Sequence, residues 1–172
     1  MILLARLLLQ LSGASPHNPI TRYIIQLTKW PVGLFQRFLP TIRKFDIAVF
    51  ITLLIVASLK FLILIPLPFQ AVLTHFGSIL IWSVGTIASQ LARLMIYAIF
   101  MRVIISWISM GHSPAIEVIH HLTKPICSPL QRLIPSIGGI DLSPAVAILI
   151  LEIVKRLITQ QMLAVGLPLV FI

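Results

Sequence analysis

The sequence is poor in acidic residues and has almost no cysteine. Only four of its 172 residues are Asp or Glu, and charged residues make up 10% of the chain. A soluble domain of this length needs more polar surface than that. The single cysteine, Cys127, excludes an intramolecular disulfide and a multi-cysteine metal site. The sequence also lacks Walker, GxSxG and HExxH motifs, so it predicts no enzyme activity and no cofactor.

What the sequence has in excess is apolar and basic residues. Hydrophobic residues make up 59% of the chain, and the mean hydropathy is +1.08. These values predict an all-α integral membrane protein. The net charge of +9 comes from Lys and Arg scattered among apolar runs, not from a basic arm. We therefore expect contact with anionic lipid headgroups and with other membrane proteins or a second copy, and no binding of nucleic acid.

Four apolar segments are candidate membrane helices. Residues 45–65, 79–108 and 143–165 are long enough to cross a bilayer, whereas residues 1–11 are too short to cross alone. The links at 12–44 and 111–139 carry Lys and Arg, and the link at 66–78 carries neither. The distribution of basic residues therefore predicts that both long links are cytoplasmic and that both termini lie outside.

A shift of 95 positions superimposes the sparse polar residues of the two halves. It places Thr28-Lys29 on Thr123-Lys124, Gln36-Arg37 on Gln131-Arg132, Asp46 on Asp141 and Lys60 on Lys155, and one residue of slack places Arg6 on Arg102. This register predicts four transmembrane helices in two parallel hairpins: a first repeat at 1–65, a link at 66–78, a second repeat at 79–165 and a tail at 166–172. We expect the first helix to be cut short, with its true start upstream; a genuine half-helix is the alternative.

Each cytoplasmic link has the start signal of a short amphipathic helix. Asn18-Pro19 and Ser113-Pro114 combine an N-cap residue with a proline, and apolar residues follow with helical spacing. The prolines of residues 124–139 then predict an interrupted segment at the membrane surface. Ser143 is expected to cap the last helix, with Pro144 at its first position.

The strings RVIISWISMGHSP and LTKPICSPLQRLIPSIGGIDLSP, followed by an apolar helix, resemble the YggT family, also called YlmG. The second repeat carries the closer match, because Arg43-Lys44 stands in the first repeat where the second has Gly138-Gly139. The resemblance implies a small, non-enzymatic, multi-pass protein of the bacterial cytoplasmic membrane. It further implies a scaffold, assembly or envelope-organisation role linked to stress tolerance or cell division.

Two groups of polar residues are candidate sites. The first is an anion or partner site before the last helix and its counterpart in the first repeat. It comprises Arg132, Gly138, Gly139, Asp141 and Ser143, with Arg37 and Asp46. A tight turn and a helix cap are the structural interpretation, and a lipid-phosphate site is the functional one.

The second group lies inside the predicted membrane helices. One helix face carries Ser83, Thr86, Gln90, Arg93 and Tyr97, which suit helix packing or a wet path for solutes. Arg102 can reach Ser106. Glu152 can pair with Lys155, Arg156 or Lys60, or the cations can extend to the lipid headgroups. The adjacent His120 and His121 point to different helix faces, which disfavours a metal or haem site.

Two functions follow from these features. The first is the membrane scaffold or assembly factor. The alternative is a small transporter or channel subunit for ions or osmolytes, which would use the polar face and the buried charges.

Overall fold

The computed structural model describes residues 1–42, 45–64, 76–108, 113–134 and 141–166. Within these ranges the chain is mostly helical. Its elements, in chain order, are α1 (Ile2–Ser12), α2 (Pro19–Gln36), β1 (Thr41–Ile42), β2 (Phe45–Asp46), α3 (Ile47–Leu64), α4 (Phe76–Ile108), α5 (Pro114–Leu133) and α6 (Ser143–Ala164). The predicted turn at Gly138 and Gly139 lies outside the described residues.

The starts of α2 and α5 are where the sequence predicts them. The Asn18 side chain accepts a hydrogen bond of 3.0 Å from the Ile20 backbone N–H, and proline follows as the first helical residue. The Ser113 hydroxyl accepts one of 3.3 Å from the Ile116 N–H in the same way. Both caps satisfy backbone donors that a helix leaves free at its start, and both predictions are confirmed.

The prediction that prolines interrupt the second link was wrong within the described residues. Helix α5 continues from Pro114 to Leu133 through Pro125 and Pro129, and α2 continues through Pro31. An interior proline costs a helix about 3 kcal/mol. Burial of the α5 side chains Val118, Leu122 and Cys127 against neighbouring helices offsets this cost, because each fully buried apolar side chain contributes about 1.5–3 kcal/mol.

The connection between α2 and α3 contains a hairpin that the sequence pattern did not predict. Strands β1 and β2 are antiparallel, with Thr41 paired to Asp46 and Ile42 paired to Phe45. The Asp46 carboxylate then accepts hydrogen bonds from the backbone N–H groups of Ala48 and Val49, at 3.0 and 3.3 Å. Helix α3 therefore begins at Ile47, two residues later than the predicted span.

The start of α6 also differs from the prediction in one detail. Ser143 is the first helical residue and Leu142 is the cap position, so Ser143 is not the N-cap. The reason is that Asp141 accepts a 2.9 Å hydrogen bond from the Ser143 backbone N–H. The Asp141 carboxylate thus accepts the hydrogen bond at the helix start, in the capping role that the sequence predicts for the Ser143 side chain.

Helix α4 is the centre of the packing. It contributes Ile87 to the cluster with α1, α2 and α3, Met95 to the cluster with α1 and α5, and Ile99 to the cluster with α5 and α6. Its Trp82 packs against Phe61 of α3 and Met162 of α6. Each of the other helices that the structure describes therefore shares at least one apolar cluster with α4. Helix α2 does so through Val32.

Helix α4 is also the one helix of the described residues that is both long and apolar enough to cross a membrane. It has 33 residues, and only 17% of its most apolar stretch is buried inside the chain. Helices α1 and α3 are apolar but shorter. Helix α6 has 22 residues and contains Glu152, Lys155 and Arg156. Large apolar side chains such as Ile63, Phe100 and Leu149 remain exposed on α3, α4 and α6, a surface that water solvates poorly.

The contact between α4 and α6 gives a test of this packing. A Cβ atom at Gly85 of α4 would lie 2.6 Å from the Met162 sulfur of α6, whereas one at Gly77 of the same helix would meet nothing within 4 Å. We expect Gly85→Val to lower the free energy of unfolding by about 1–3 kcal/mol, because the new side chain must displace Met162. Unfolding of the purified protein in detergent measures the loss.

The matched control is Gly77→Val, which makes the same chemical change without the clash. A double-mutant cycle with Met162→Ala isolates the contact, since Gly85→Val should cost less once the methionine is shortened. Equal effects of the two glycine variants, or a cycle with no coupling, would contradict this packing of α4 on α6.

Candidate functional site

An arginine of the first helix in each predicted repeat binds a threonine of the following link helix. Arg6 of α1 donates a 2.8 Å hydrogen bond from its Nη1 to the Thr28 hydroxyl of α2. Arg102 of α4 donates one of 3.1 Å to the Thr123 hydroxyl of α5. Among the described residues the guanidinium of Arg102 makes this bond to α5 and none to Ser106, so a contact with Ser106 stays a prediction. We call these two interactions the Arg–Thr contacts.

Both threonines also anchor themselves to their own helix. The Thr28 hydroxyl donates to the Ile24 carbonyl at 2.7 Å, and the Thr123 hydroxyl donates to the Ile119 carbonyl at 2.8 Å. The hydroxyl proton is therefore used within the helix, and a lone pair of the oxygen is left to face the arginine. This arrangement gives a positively charged side chain an acceptor in a largely apolar setting.

A second pair of contacts joins the end of each link helix to the start of the next helix. Gln36 donates to the Asp46 carboxylate at 2.9 Å, and Gln131 donates to the Asp141 carboxylate at 2.7 Å. The other oxygen of each carboxylate accepts the backbone N–H groups that open α3 and α6. We call these the Gln–Asp contacts.

The arginine and the aspartate of each repeat also lie within electrostatic range of each other. The charge of Asp46 acts on Arg6, and the charge of Arg102 acts on Asp141. Burial acts to raise the pKa of Asp141, but hydrogen bonds from Ser143 and Gln131, together with the charge of Arg102, bring it below its ordinary value. Asp141 is therefore a carboxylate at neutral pH, able to hold both contacts.

The two repeats differ in how far water reaches these groups. Arg6 and Asp46 are 4% and 2% exposed, whereas Arg102 is half-buried and Asp141 is exposed. Gln10 of α1 adds a further hydrogen bond of 3.4 Å to Asp46. The first repeat thus encloses its polar groups, and the second leaves its own open on one side.

A polar contact joins the two link helices directly. The Asn18 side-chain amide, at the start of α2, donates to the Pro114 carbonyl at 2.9 Å and to the Glu117 carboxylate at 3.0 Å. Pro114 and Glu117 lie in the first turn of α5. The N-cap of one link helix therefore holds the N-terminus of the other.

The predicted anion site is only partly assembled. Asp141 and the Ser143 backbone come together, but Arg132 and its counterpart Arg37 are exposed. Within the described ranges no hydrogen bond or ion pair joins Arg132 to Asp141. Gly138 and Gly139 lie outside the described residues.

The polar face of α4 runs from the interior to the outside. Ser83 is fully buried; its hydroxyl lies 3.0 Å from that of Ser58 in α3 and donates to the Ile79 carbonyl. Thr86, Gln90 and Arg93 are half-buried, and Tyr97 is exposed. Thr86 Oγ1 and Gln90 Oε1 are buried without a hydrogen-bond partner among the residues that the structure describes.

The charges of α6 form the predicted ion pair. The Lys155 ammonium binds the Glu152 carboxylate at 2.6 Å, and Arg93 and Arg156 lie close enough for their charges to act on the same carboxylate. Arg156 is exposed. The Lys60 ammonium lies 5.8 Å from the centre of the Phe61 ring, and a bridge from Lys60 to Glu152 stays a prediction.

Sequence reasoning paired the threonines and glutamines of the two repeats but did not identify them as site residues. The signal was present, because Thr28 and Thr123, and Gln36 and Gln131, share the shift of 95 positions. Asn18 was identified only as a cap, and Glu117 was not singled out. Over the described residues no group of three His, Cys, Asp or Glu is placed to hold a metal ion.

The Arg–Thr contacts give a test that compares the repeats. Thr28→Val keeps the shape of the side chain and removes the acceptor for a buried arginine, so we expect it to cost about 1.5–3 kcal/mol of unfolding free energy. Thr123→Val should cost less, since water can reach the half-buried Arg102. Equilibrium unfolding of both variants in the same detergent provides the comparison, and a larger loss for Thr123→Val would refute it.

Comparisons with known proteins cover nearly the whole chain. A sequence model described as CCB3/YggT matches residues 1–67 and 81–162. The chain is 32% identical over 143 residues to an uncharacterized protein in the proC 3' region of Vibrio alginolyticus, covering 83% of this chain and 77% of that one.

Two further relatives have lower identity and wider coverage. An uncharacterized protein of Pseudomonas aeruginosa is 28% identical over 98% of this chain and 86% of its own length. The uncharacterized protein YggT of Escherichia coli K12 is 27% identical over 96% of this chain and 86% of its own length. No solved structure matches the chain. The two segments matched by the family model contain both Arg–Thr contacts and both Gln–Asp contacts, and the chain belongs to the CCB3/YggT family.

Proposed function

We propose that this chain is a multi-pass protein of the bacterial cytoplasmic membrane and acts there as a non-enzymatic scaffold or assembly factor. The observation that carries the proposal is the recurrence of the same polar contacts in both halves of the chain, each set tying two apolar helices to the amphipathic helix between them. These contacts fix α2 and α5 against the apolar helices. The outer faces of α2 and α5 then form the surface that partners would bind.

The lengths of the helices support four membrane segments. At 1.5 Å per residue, α4 measures about 50 Å, α6 about 33 Å and α3 about 27 Å, against a hydrocarbon core of about 30 Å. The Glu152–Lys155 pair lowers the cost of placing α6 in lipid, and the exposed Arg156 can extend toward the headgroups. Helix α1, about 17 Å long, is too short to cross this core alone.

The link helices support a position at the cytoplasmic boundary. Helix α2 exposes Trp30 and Leu27 beside Lys29, and α5 exposes Leu133 beside Arg132. A helix that presents aromatic and apolar side chains together with cations suits the headgroup region of an anionic membrane. The contact of Asn18 with Pro114 and Glu117 holds the two link helices together as one surface.

The same contacts support the proposal of two parallel hairpins. The Arg–Thr and Gln–Asp contacts recur at corresponding positions of residues 1–65 and 79–165, which supports a duplicated unit in which both links face the same side. The surface formed by the two link helices would then act in envelope stress tolerance or in cell division.

The transporter alternative has one observation in its favour. Thr86 and Gln90 of α4 leave buried oxygen atoms without partners in the described chain, and Arg93 lies one turn further along. Buried polar atoms of this kind suit either a partner helix that completes them or water in a narrow path. The bond between Ser83 and Ser58 ends the polar face within the protein, which favours the partner helix.

An experiment on Gln90 separates the two functions. We expect Gln90→Leu to lower the yield of the crosslinked complex between this protein and its partner helix, because the substitution removes the amide that would bind that helix. Tyr97→Phe, at the exposed end of the same face, should leave the yield unchanged. Purified protein in liposomes should pass ions and small polar solutes no faster than protein-free liposomes. Solute flux faster than in protein-free liposomes, if Gln90→Leu abolishes it, would overturn the scaffold proposal and support the transporter alternative.

A further inference from the structure

A basic pocket lies between the end of α4 and the middle of α5. Its volume is about 310 Å³, and it is lined by Arg102, His120, His121, Lys124 and Ser128. Every one of these side chains can donate a hydrogen bond, and none is acidic. The Glu117 carboxylate lies 4.0 Å from the His121 Nε2, and the charge of Arg102 acts on Asp141, but neither carboxylate lines the pocket.

The environment of the pocket acts on the pKa of His120. Burial lowers the pKa of His120, and the charges of Arg102 and His121 lower it further. The guanidinium of Arg102 gives one N–H to Thr123 and retains other donors that can face the pocket. An anion placed in the pocket would meet the charges of Arg102 and Lys124 and accept hydrogen bonds from the lining side chains.

The first repeat has no such pocket chemistry at the corresponding positions. The shift of 95 residues places Ile25 and Gln26 where the second repeat has His120 and His121, and Gly33 where it has Ser128. The arginine of the first repeat, Arg6, is also only 4% exposed. The structural Arg–Thr contact is therefore common to both repeats, whereas the open cluster of donors belongs to the second repeat alone.

The size and chemistry of the pocket select a ligand class. Its volume lies at the lower end of the range for small-molecule sites, about 300–1,000 Å³. Arginine, lysine and hydroxyl donors that converge on one space are the groups that bind phosphate oxygens. We propose that this pocket binds a phosphate group, carried either by a membrane lipid headgroup or by a small molecule in solution. Binding of a lipid headgroup depends on the proposed membrane location. Binding of a phosphate group as such does not, because the side chains alone define the site.

The imidazole resonances of His120 and His121 in the purified full-length protein provide the readout. Three probes are titrated: inorganic phosphate, dihexanoyl phosphatidylglycerol, and dihexanoyl phosphatidylcholine as the zwitterionic comparison. We expect saturable shifts of both histidines with at least one phosphate probe. Saturation by phosphatidylglycerol alone assigns the lipid source, and saturation by inorganic phosphate as well assigns a site open to soluble phosphates; both outcomes support the pocket.

The variant that tests the pocket is Lys124→Gln, and its matched control is Lys29→Gln, which removes the same charge from the corresponding exposed position of α2. We expect Lys124→Gln to weaken binding at least tenfold and Lys29→Gln to leave it unchanged. Arg102 is not substituted because it also holds Thr123. No saturable shift with any of the three probes, or equal weakening by both lysine variants, would overturn the proposal, and neither result would decide between scaffold and transporter.

Discussion

An arginine inside an apolar bundle needs a hydrogen-bond acceptor, and this requirement organises each half of the chain. Arg6 and Arg102 meet it with a threonine of the next helix, and each threonine can accept because its own proton is already bound within its helix. An unpaired charge in such a setting costs several kcal/mol. The position of the link helix relative to the preceding helix is therefore set by the arginine.

The Gln–Asp contacts position the third helix of each half in a similar way. One carboxylate oxygen holds the end of the link helix, and the other holds the first turn of the helix that follows. The two halves then diverge in exposure. The first buries Arg6 and Asp46, and the second leaves Arg102 and Asp141 accessible. The corresponding contacts of the two halves therefore differ in solvent access, and the proposed phosphate pocket lies in the more open half.

Much of this arrangement can be predicted from the sequence, and the rest depends on tertiary contacts. The helix starts at Pro19 and Pro114 and the pair of Glu152 with Lys155 follow from local spacing, so they are predictable. The continuation of α5 through Pro125 and Pro129 is not, because local propensity opposes it and burial against α4 and α6 decides it. The pocket around Lys124 could not be predicted, since it requires the distance between two helices rather than the pattern of either.

The central claim is that two equivalent units lie side by side in the membrane with their link helices on one face. The direct measurement labels single cysteines introduced by Lys29→Cys and Lys124→Cys, each in a Cys127→Ala background, with a membrane-impermeant maleimide. Both positions are exposed on their link helices. The account predicts that both react in inverted membrane vesicles and that neither reacts in right-side-out vesicles. Reaction of the two positions from opposite faces would contradict it.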